Sequence, residues 1–186
     1  MTAMPSFEIG LWNAWILTTG LFLFIMLSGA LPKDIGKRIT PAKEVKKINS
    51  VMMIVFFAMI IYSIFLPLKL GTVWFYVGLA VYLSGFAIST SALISIAATK
   101  PGEPFTTGIY RYSRHPIALG TLLPFIGAGV ATASWFFLLL CAVLIVFSHF
   151  IAVTEEGATA KKFGDAYQEY ITKTPRWIGI PKSNEQ

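Results

Sequence analysis

Charged residues, histidine and cysteine are all scarce in this sequence. Of its 186 residues 13% are charged, two are histidine and one, Cys141, is cysteine, whereas 55% are hydrophobic. A single cysteine excludes an intrachain disulfide and a cysteine metal cluster, and two histidines without ligand spacing predict no metal site. The net charge of +6 does not indicate a nucleic-acid surface, because the basic residues lie between apolar stretches.

Charge is completely absent from four long stretches of the chain. Residues 9–32, 48–68, 70–99 and 116–154 contain no Asp, Glu, Lys or Arg. Because about 20 apolar helical residues cross a hydrocarbon core of about 30 Å, each of the first three can cross once and the fourth twice. This pattern excludes a soluble globular domain, a disordered chain, a secreted disulfide scaffold and an outer-membrane barrel.

The sequence therefore predicts an all-α, polytopic membrane protein that forms a single membrane domain over residues 1–186. Five transmembrane helices are expected, at about 11–31, 51–68, 73–98, 116–131 and 135–153. Pro116 suits the first turn of span four, where its missing N–H needs no partner. The short, uncharged turn at 129–134 predicts that spans four and five form a tight helical hairpin. A helical tail follows the last span.

The basic residues gather in the segments that would share one side of the membrane. Loops 32–50 and 99–115 and the segment after residue 154 hold every Lys and Arg except Lys69. Since cytoplasmic loops are enriched in basic residues, the N-terminus is expected outside and the tail in the cytoplasm. The prediction is a multi-pass protein, of the plasma or inner membrane if bacterial, with its polar site on the cytoplasmic side.

Two polar pairs flank the longest uncharged stretch: Arg114-His115 before it and Glu155-Glu156 after it. Two helices of about 25–30 Å joined by a short turn bring these pairs level with each other. The helix start and the basic pair favour an anionic group, and the acidic pair can accept hydrogen bonds from hydroxyls or an amine. A zwitterionic ligand and a purely structural set of ion pairs are both compatible with these residues.

Two sequence blocks carry a resemblance to a known superfamily. The first block consists of Gly108-Ile109-Tyr110, Arg114-His115-Pro116 and Gly120. The second consists of Glu155-Glu156, Phe163-Gly164, Tyr167, Tyr170, Pro175-Arg176 and Pro181. In this order they resemble the membrane methyltransferases that include isoprenylcysteine carboxyl methyltransferases and phospholipid N-methyltransferases. The resemblance covers about residues 100–181.

The resemblance implies an enzyme that uses S-adenosylmethionine, bound on the cytoplasmic side between the last two spans and the tail, within about residues 100–181. The methyl acceptor, a lipid or a prenylated or otherwise apolar molecule, would come from the bilayer and present a carboxylate, an amine or a thiol. The implied cofactor contacts are Tyr110, Arg114, His115, Pro116, Gly120, Glu155, Glu156 and Tyr167. Catalytic roles fall to Arg114 and Glu156. No metal or nucleic-acid partner is expected.

Two positions depart from the superfamily pattern: Ala118 replaces a Tyr and Thr159 a Leu, and Gly157 is unfavourable in a helix. Two alternatives therefore stay open. One is an NADPH-dependent membrane reductase of related architecture, and the other is a non-enzymatic membrane protein that kept the scaffold. His149, ionisable within span five, is interpreted first as a hydrogen-bond partner of a neighbouring helix and second as a proton acceptor.

Two further predictions concern packing. Phe163, Tyr167 and Tyr170 have the spacing of one aromatic stripe on a short tail helix. Small residues in span three are expected to permit close helix contact: Ser84, Ser91, Ala92 and Ser95.

Overall fold

The structure, a computed structural model, describes residues 10–29 and 46–181. The regular structure of these residues is all-helical, as predicted, and the β-pairing among them is an isolated bridge between Asn13 and Pro67. The α-helices are α1 (Trp15–Gly29), α2 (Lys46–Ser63), α3 (Val73–Ala98), α4 (Pro116–Ala131), α5 (Trp135–Phe163) and α6 (Asp165–Lys173). A short 3-10 helix, Gly108–Arg111, lies between α3 and α4.

Two of these helices, α3 and α5, are long and apolar enough to cross a membrane. Three shorter apolar segments accompany them, at Trp15–Phe24, Ile48–Ser63 and Pro116–Ala131. The arrangement of five spans and its orientation therefore stay predictions. Residues 30–45, with the end of the first predicted span and most of the first basic loop, lie outside the described residues.

The second predicted span ends earlier than the sequence suggested, at Ser63 instead of Leu68. The segment after Ser63 pairs with the residues before α1: the Ala14 N–H donates to the Leu66 carbonyl at 2.8 Å. The Leu68 N–H donates to the Trp12 carbonyl at 2.9 Å. Because these backbone groups are satisfied by pairing, they do not extend α2.

The contact between α3 and α4 is close because glycines lie where the helices cross. A Cβ on Gly78 would clash with the backbone of α4 at Gly127, and a Cβ on Gly120 would clash with Ser89. Of the small residues predicted to permit close helix contact, Ala92 and Ser95 are buried, and Ser95 lies against Gly108 of the 3-10 helix. The prediction is wrong for the exposed serines of span three, Ser84 and Ser91. The buried residues of α3 repeat at the helical period along one face, and Ser84 and Ser91 lie outside that face.

The predicted hairpin of α4 and α5 is confirmed, with only residues 132–134 between the helices. Ser134 caps α5 by accepting a hydrogen bond from the Phe137 N–H at 3.3 Å. The buried rings of Phe125 and Phe137 stack within the hairpin at 6.4 Å between centroids. The start of α4 and the second half of α5 therefore lie side by side.

Helix α5 continues to Phe163, well past the predicted end of the span near Val153. One exposed glycine, Gly157, costs about 1 kcal/mol relative to Ala, which is too little to end a long helix. The helix ends at Gly164, whose φ of 58° is rarely adopted by other residues. Phe163 therefore belongs to α5 and not to α6, so the predicted stripe of three aromatic residues on one tail helix is wrong.

Candidate active site

A carboxylate on α5 lies at the centre of a buried polar cluster. Glu156 Oε2 is 2.8 Å from Arg114 Nη1, and Glu156 Oε1 is 3.1 Å from His115 Nε2. The Arg176 guanidinium donates to both carboxylate oxygens, from Nε and Nη2, at 2.9 Å each. The Glu156 side chain is only 8% exposed. Three basic side chains therefore converge on one enclosed carboxylate, and the Arg176 pair has the strong bidentate geometry.

The α4–α5 hairpin explains half of this cluster. Arg114 and His115 directly precede α4, and Glu155 and Glu156 lie on α5, so the antiparallel helices bring them together. The predicted proximity of the two pairs is confirmed by the distances to Glu156. Glu155 is less enclosed, with 33% of its side chain exposed and its oxygen 3.9 Å from His115 Nδ1.

The tail provides the other half by folding back over the turn before α4. The Arg114 N–H donates to the carbonyls of Pro175 and Arg176, at 3.1 and 3.2 Å. The Ser113 hydroxyl donates to the Arg176 carbonyl at 3.3 Å and accepts from the His115 N–H at 3.2 Å. These backbone bonds fix the position from which the Arg176 side chain reaches Glu156.

Three buried tyrosines fill the space between the tail and the 3-10 helix. The Tyr170 hydroxyl donates to the Tyr110 carbonyl at 2.6 Å, and the Tyr167 and Tyr170 rings lie 5.6 Å apart. Burial, together with the nearby carboxylate of Glu156, raises the pKa of Tyr167 to about 12. Burial also raises the pKa of Tyr110. Both hydroxyls therefore stay protonated at neutral pH and act as hydrogen-bonding groups.

Arg114 has hydrogen-bonding capacity that the described residues do not use. Its side chain is 10% exposed, and Nη1 forms the ion pair with Glu156. Yet neither Nε nor Nη1 has an aligned hydrogen-bond acceptor among the described residues. Nη1 lies close to the Glu156 carboxylate, but its N–H bonds do not point toward the carboxylate oxygen, so the contact is an ion pair without a hydrogen bond. A buried donor without an acceptor costs about 1–3 kcal/mol, and more when charged, so the guanidinium is held chiefly by its ion pair with Glu156 and keeps spare donor capacity at Nε.

The other residues predicted as cofactor contacts lie around this cluster. Pro116 is buried in the first turn of α4, as expected, and Gly120 is buried one turn further on. Gly120 faces Ser89 of α3, so close helix packing is sufficient to explain a glycine there. Its role as a cofactor contact stays a prediction, as do the roles of the other named contacts.

An aromatic group connects His149 with the cluster. The Trp177 ring lies 6.2 Å from the His115 ring and 6.4 Å from the His149 ring, measured between centroids. His149 itself is exposed on α5. Trp177 therefore stands between His149 and the polar cluster.

Arg176 and Trp177 are missing from the predicted contacts. The signal for Arg176 was present, because Pro175-Arg176 forms part of the second sequence block. Trp177 has no such signal, since it belongs to neither block. Both reach the cluster only because the tail folds back along the turn.

An apolar cavity of about 440 Å³ lies on the other side of the same turn. Its walls come from α3, the 3-10 helix, the start of α4 and the tail. The aliphatic side chains that line it are Ile88, Ile109, Leu119, Ile178 and Ile180. Ser113 and Pro116, which flank Arg114 and His115 in the sequence, also contact it.

The chain is similar to known methyltransferases. A family model described as phospholipid methyltransferase matches residues 70–166, just over half of the chain. That region contains Arg114, His115, Glu155 and Glu156 and ends before Tyr167 and Arg176. The chain is also 29% identical over 178 residues to Protein-S-isoprenylcysteine O-methyltransferase of Schizosaccharomyces pombe, covering 91% of this chain and 71% of the yeast protein.

Proposed function

Because this chain belongs to the phospholipid methyltransferase family, we propose that it is an integral membrane enzyme that methylates a lipidic or otherwise apolar acceptor with S-adenosylmethionine. The observation that carries the proposal is the enclosed polar cluster in which the Arg114 guanidinium contacts Glu156 while its Nε has no acceptor among the described residues. The yeast relative is named for an isoprenylcysteine acceptor, which supports an apolar acceptor for this chain.

The residues of the cluster fit the amino-acid end of S-adenosylmethionine, which carries a carboxylate and an ammonium group. Arg114 would bind the carboxylate with its unused donors. Glu155, the more exposed of the two acidic residues, would accept hydrogen bonds from the ammonium group. The neutral hydroxyls of Tyr110 and Tyr167, with His115, Pro116 and Gly120, complete the proposed pocket within residues 100–181.

The cofactor supplies a methyl group on a sulfonium, and its transfer is a direct displacement that requires alignment more than acid–base assistance. Arg114 and Glu155 are the charged residues that we propose to contact the amino-acid end of S-adenosylmethionine. Glu156 is proposed to act through Arg114, because the Glu156 oxygens already contact Arg114, His115 and Arg176. The role of the protein in this chemistry is then to hold Arg114 in one position and keep water away from the reacting groups.

We further propose a multi-pass topology with the site on the cytoplasmic side. The support is the charge pattern: every Lys and Arg except Lys69 lies in segments that the five-span arrangement would put on one side. The family match gives no support to the reductase or the non-enzymatic alternative.

The proposal is tested by equilibrium binding of labelled S-adenosylmethionine to the purified protein in detergent. Arg114→Ala should weaken binding about 10- to 100-fold, since a hydrogen bond to a charged group contributes about 1.5–3 kcal/mol. Arg111→Ala is the matched control, because this arginine lies in the neighbouring 3-10 helix and is exposed. Folded wild-type protein without saturable binding would overturn the proposal, as would equal affinities of the two variants. Stabilisation by NADPH alone would favour the reductase.

A further inference from the structure

The apolar cavity extends from the level of the candidate site along α3 and the first turn of α4, where its lining residues Ile88 and Leu119 are half-buried. Its upper part is marked by Ile109, whose N–H donates to Ser95 Oγ at 3.4 Å. Ile88 lies seven residues before Ser95 on α3, which places it about 10 Å further along the helix axis. Leu119 lies about one turn inside α4. The cavity therefore has an upper end beside the turn at Ser113 and a lower end at Ile88 and Leu119.

The lower end of the cavity has a rigid boundary. Ser89 and Gly120, the neighbours of Ile88 and Leu119 in sequence, form the close contact between α3 and α4. The two backbones cannot approach further there, and separating them would break a closely packed interface. The available length is therefore set by the side chains at positions 88 and 119.

The upper end is open on the side of the tail. Ile178 and Ile180 line the cavity while being 71% and 89% exposed. A backbone hydrogen bond from the Gly179 N–H to the Tyr112 carbonyl, at 3.1 Å, holds the segment between them. Exposed isoleucines at the mouth of an aliphatic cavity fit contact with membrane hydrocarbon.

We propose that this cavity binds the apolar chain of the methyl acceptor, and that Ile88 and Leu119 determine how long a chain is accepted. The inference rests on the proposed function. The polar end of the acceptor would lie at Ser113, whose neighbour Arg114 belongs to the polar cluster, and the chain would extend toward α3. A volume of about 440 Å³ is within the usual range of ligand pockets, about 300–1,000 Å³. No charged residue of the described part of the chain lines the cavity, so the bound part is a hydrocarbon chain and not a headgroup.

The test measures binding of N-acetyl-S-alkylcysteines that differ only in chain length, to the full chain in nanodiscs, with S-adenosylmethionine binding measured in parallel. Wild-type affinity should rise about fourfold per methylene group while the chain fits the cavity, and then stop rising. Ile88→Ala and Leu119→Ala should move that limit to longer chains. Ile88→Phe and Leu119→Phe should move it to shorter ones.

Ile94→Ala is the matched control, because Ile94 lies on α3 with 64% exposure and does not line the cavity. The chain length at which affinity stops rising should be the same in this variant as in the wild type. The inference is overturned if this chain-length limit is unchanged in all four cavity variants while cofactor binding is intact. It is also overturned by a wild-type protein that binds the cofactor but no alkylcysteine of any length. Absence of cofactor binding contradicts the proposed function instead, so the two failures are distinguishable.

Discussion

Glu156 is the single residue on which the geometry of the candidate site depends most, because Arg114, His115 and Arg176 all contact it. The carboxylate is buried, so its charge compensates theirs in a region of low polarity. Removing the charge leaves two guanidinium groups without their shared partner. The same change also releases Arg114 from the position in which we propose that it binds the cofactor.

Glu156→Gln should therefore lower stability by about 3–5 kcal/mol, the usual cost of leaving a buried charge unpaired. It should also weaken binding of S-adenosylmethionine. Thermal unfolding in detergent and labelled-cofactor binding measure the two effects. The control is Glu155→Gln, whose contact with His115 is longer and more exposed, and whose stability should change little. Wild-type stability of Glu156→Gln would show that the cluster is not a coupled set of charges.

Arg176 tests whether the two parallel hydrogen bonds to Glu156 matter, or only a positive charge. Arg176→Lys keeps the charge but loses the planar, bidentate pair. The KM for S-adenosylmethionine should rise about tenfold, corresponding to about 1.4 kcal/mol of lost binding, with a smaller change in kcat. Lys173→Ala is the control, since its ion pair with Glu169 is exposed and contributes about 0–1 kcal/mol. Equal KM values for Arg176→Lys and the wild type would contradict this role.

At the scale of helices, the junction between α5 and α6 determines where the tail can go. Gly164 ends α5 with a φ of 58°, and its amide donates to the Ala160 carbonyl at 2.9 Å. Tyr167 and Tyr170 follow on α6 and pack against the site. The positive φ at Gly164, which glycine adopts readily, is thus what turns the chain back toward Glu156.

Alanine substitutions at two glycines distinguish the effect of backbone conformation on stability from the effect of side-chain packing near this junction. At both Gly157 and Gly164 a Cβ would have no atom of the described residues within 4 Å, so neither change creates a clash with them. Gly157→Ala, within α5, should stabilise the protein by up to about 1 kcal/mol. Gly164→Ala should destabilise it by about 1–2 kcal/mol, because alanine disfavours a positive φ. Thermal unfolding measures the stability of both variants. Stability changes of the same sign would contradict the role given to the positive φ at Gly164.

At the scale of the whole molecule, the proposed topology places the candidate site in the cytoplasm and Lys69 outside. In a Cys141→Ala background, a cysteine replacing the exposed Lys69 should react with an impermeant maleimide added to intact cells. A cysteine replacing the exposed Lys161, beyond Glu156 on α5, should react only after the cells are opened. The reverse labelling pattern would show that the topology is inverted. Labelling of both cysteines in intact cells would contradict the three membrane crossings predicted between positions 69 and 161.

The sequence by itself determined the helical class, the hairpin of α4 and α5, and the meeting of Arg114 and His115 with Glu155 and Glu156. These features follow from short-range patterns: uncharged stretches predict the helices, and the short uncharged turn predicted at 129–134 requires the two helices that it joins to lie antiparallel. Helix ends were less predictable, since Ser63 and Phe163 end their helices through backbone pairing and a positive φ that hydropathy does not encode.

Only the tertiary structure decided that Arg176 and Trp177 join the cluster, that Gly120 contacts Ser89, and that a cavity lies beside Ser113. Each of these depends on how separate elements pack, and the tail reaches Glu156 only after Gly164 turns the chain and backbone hydrogen bonds fix it against Arg114. Periodicity describes which face of a helix is apolar, but not which neighbour will cover it. The charged residues of the site were therefore visible in the sequence, whereas their shared geometry came from the fold.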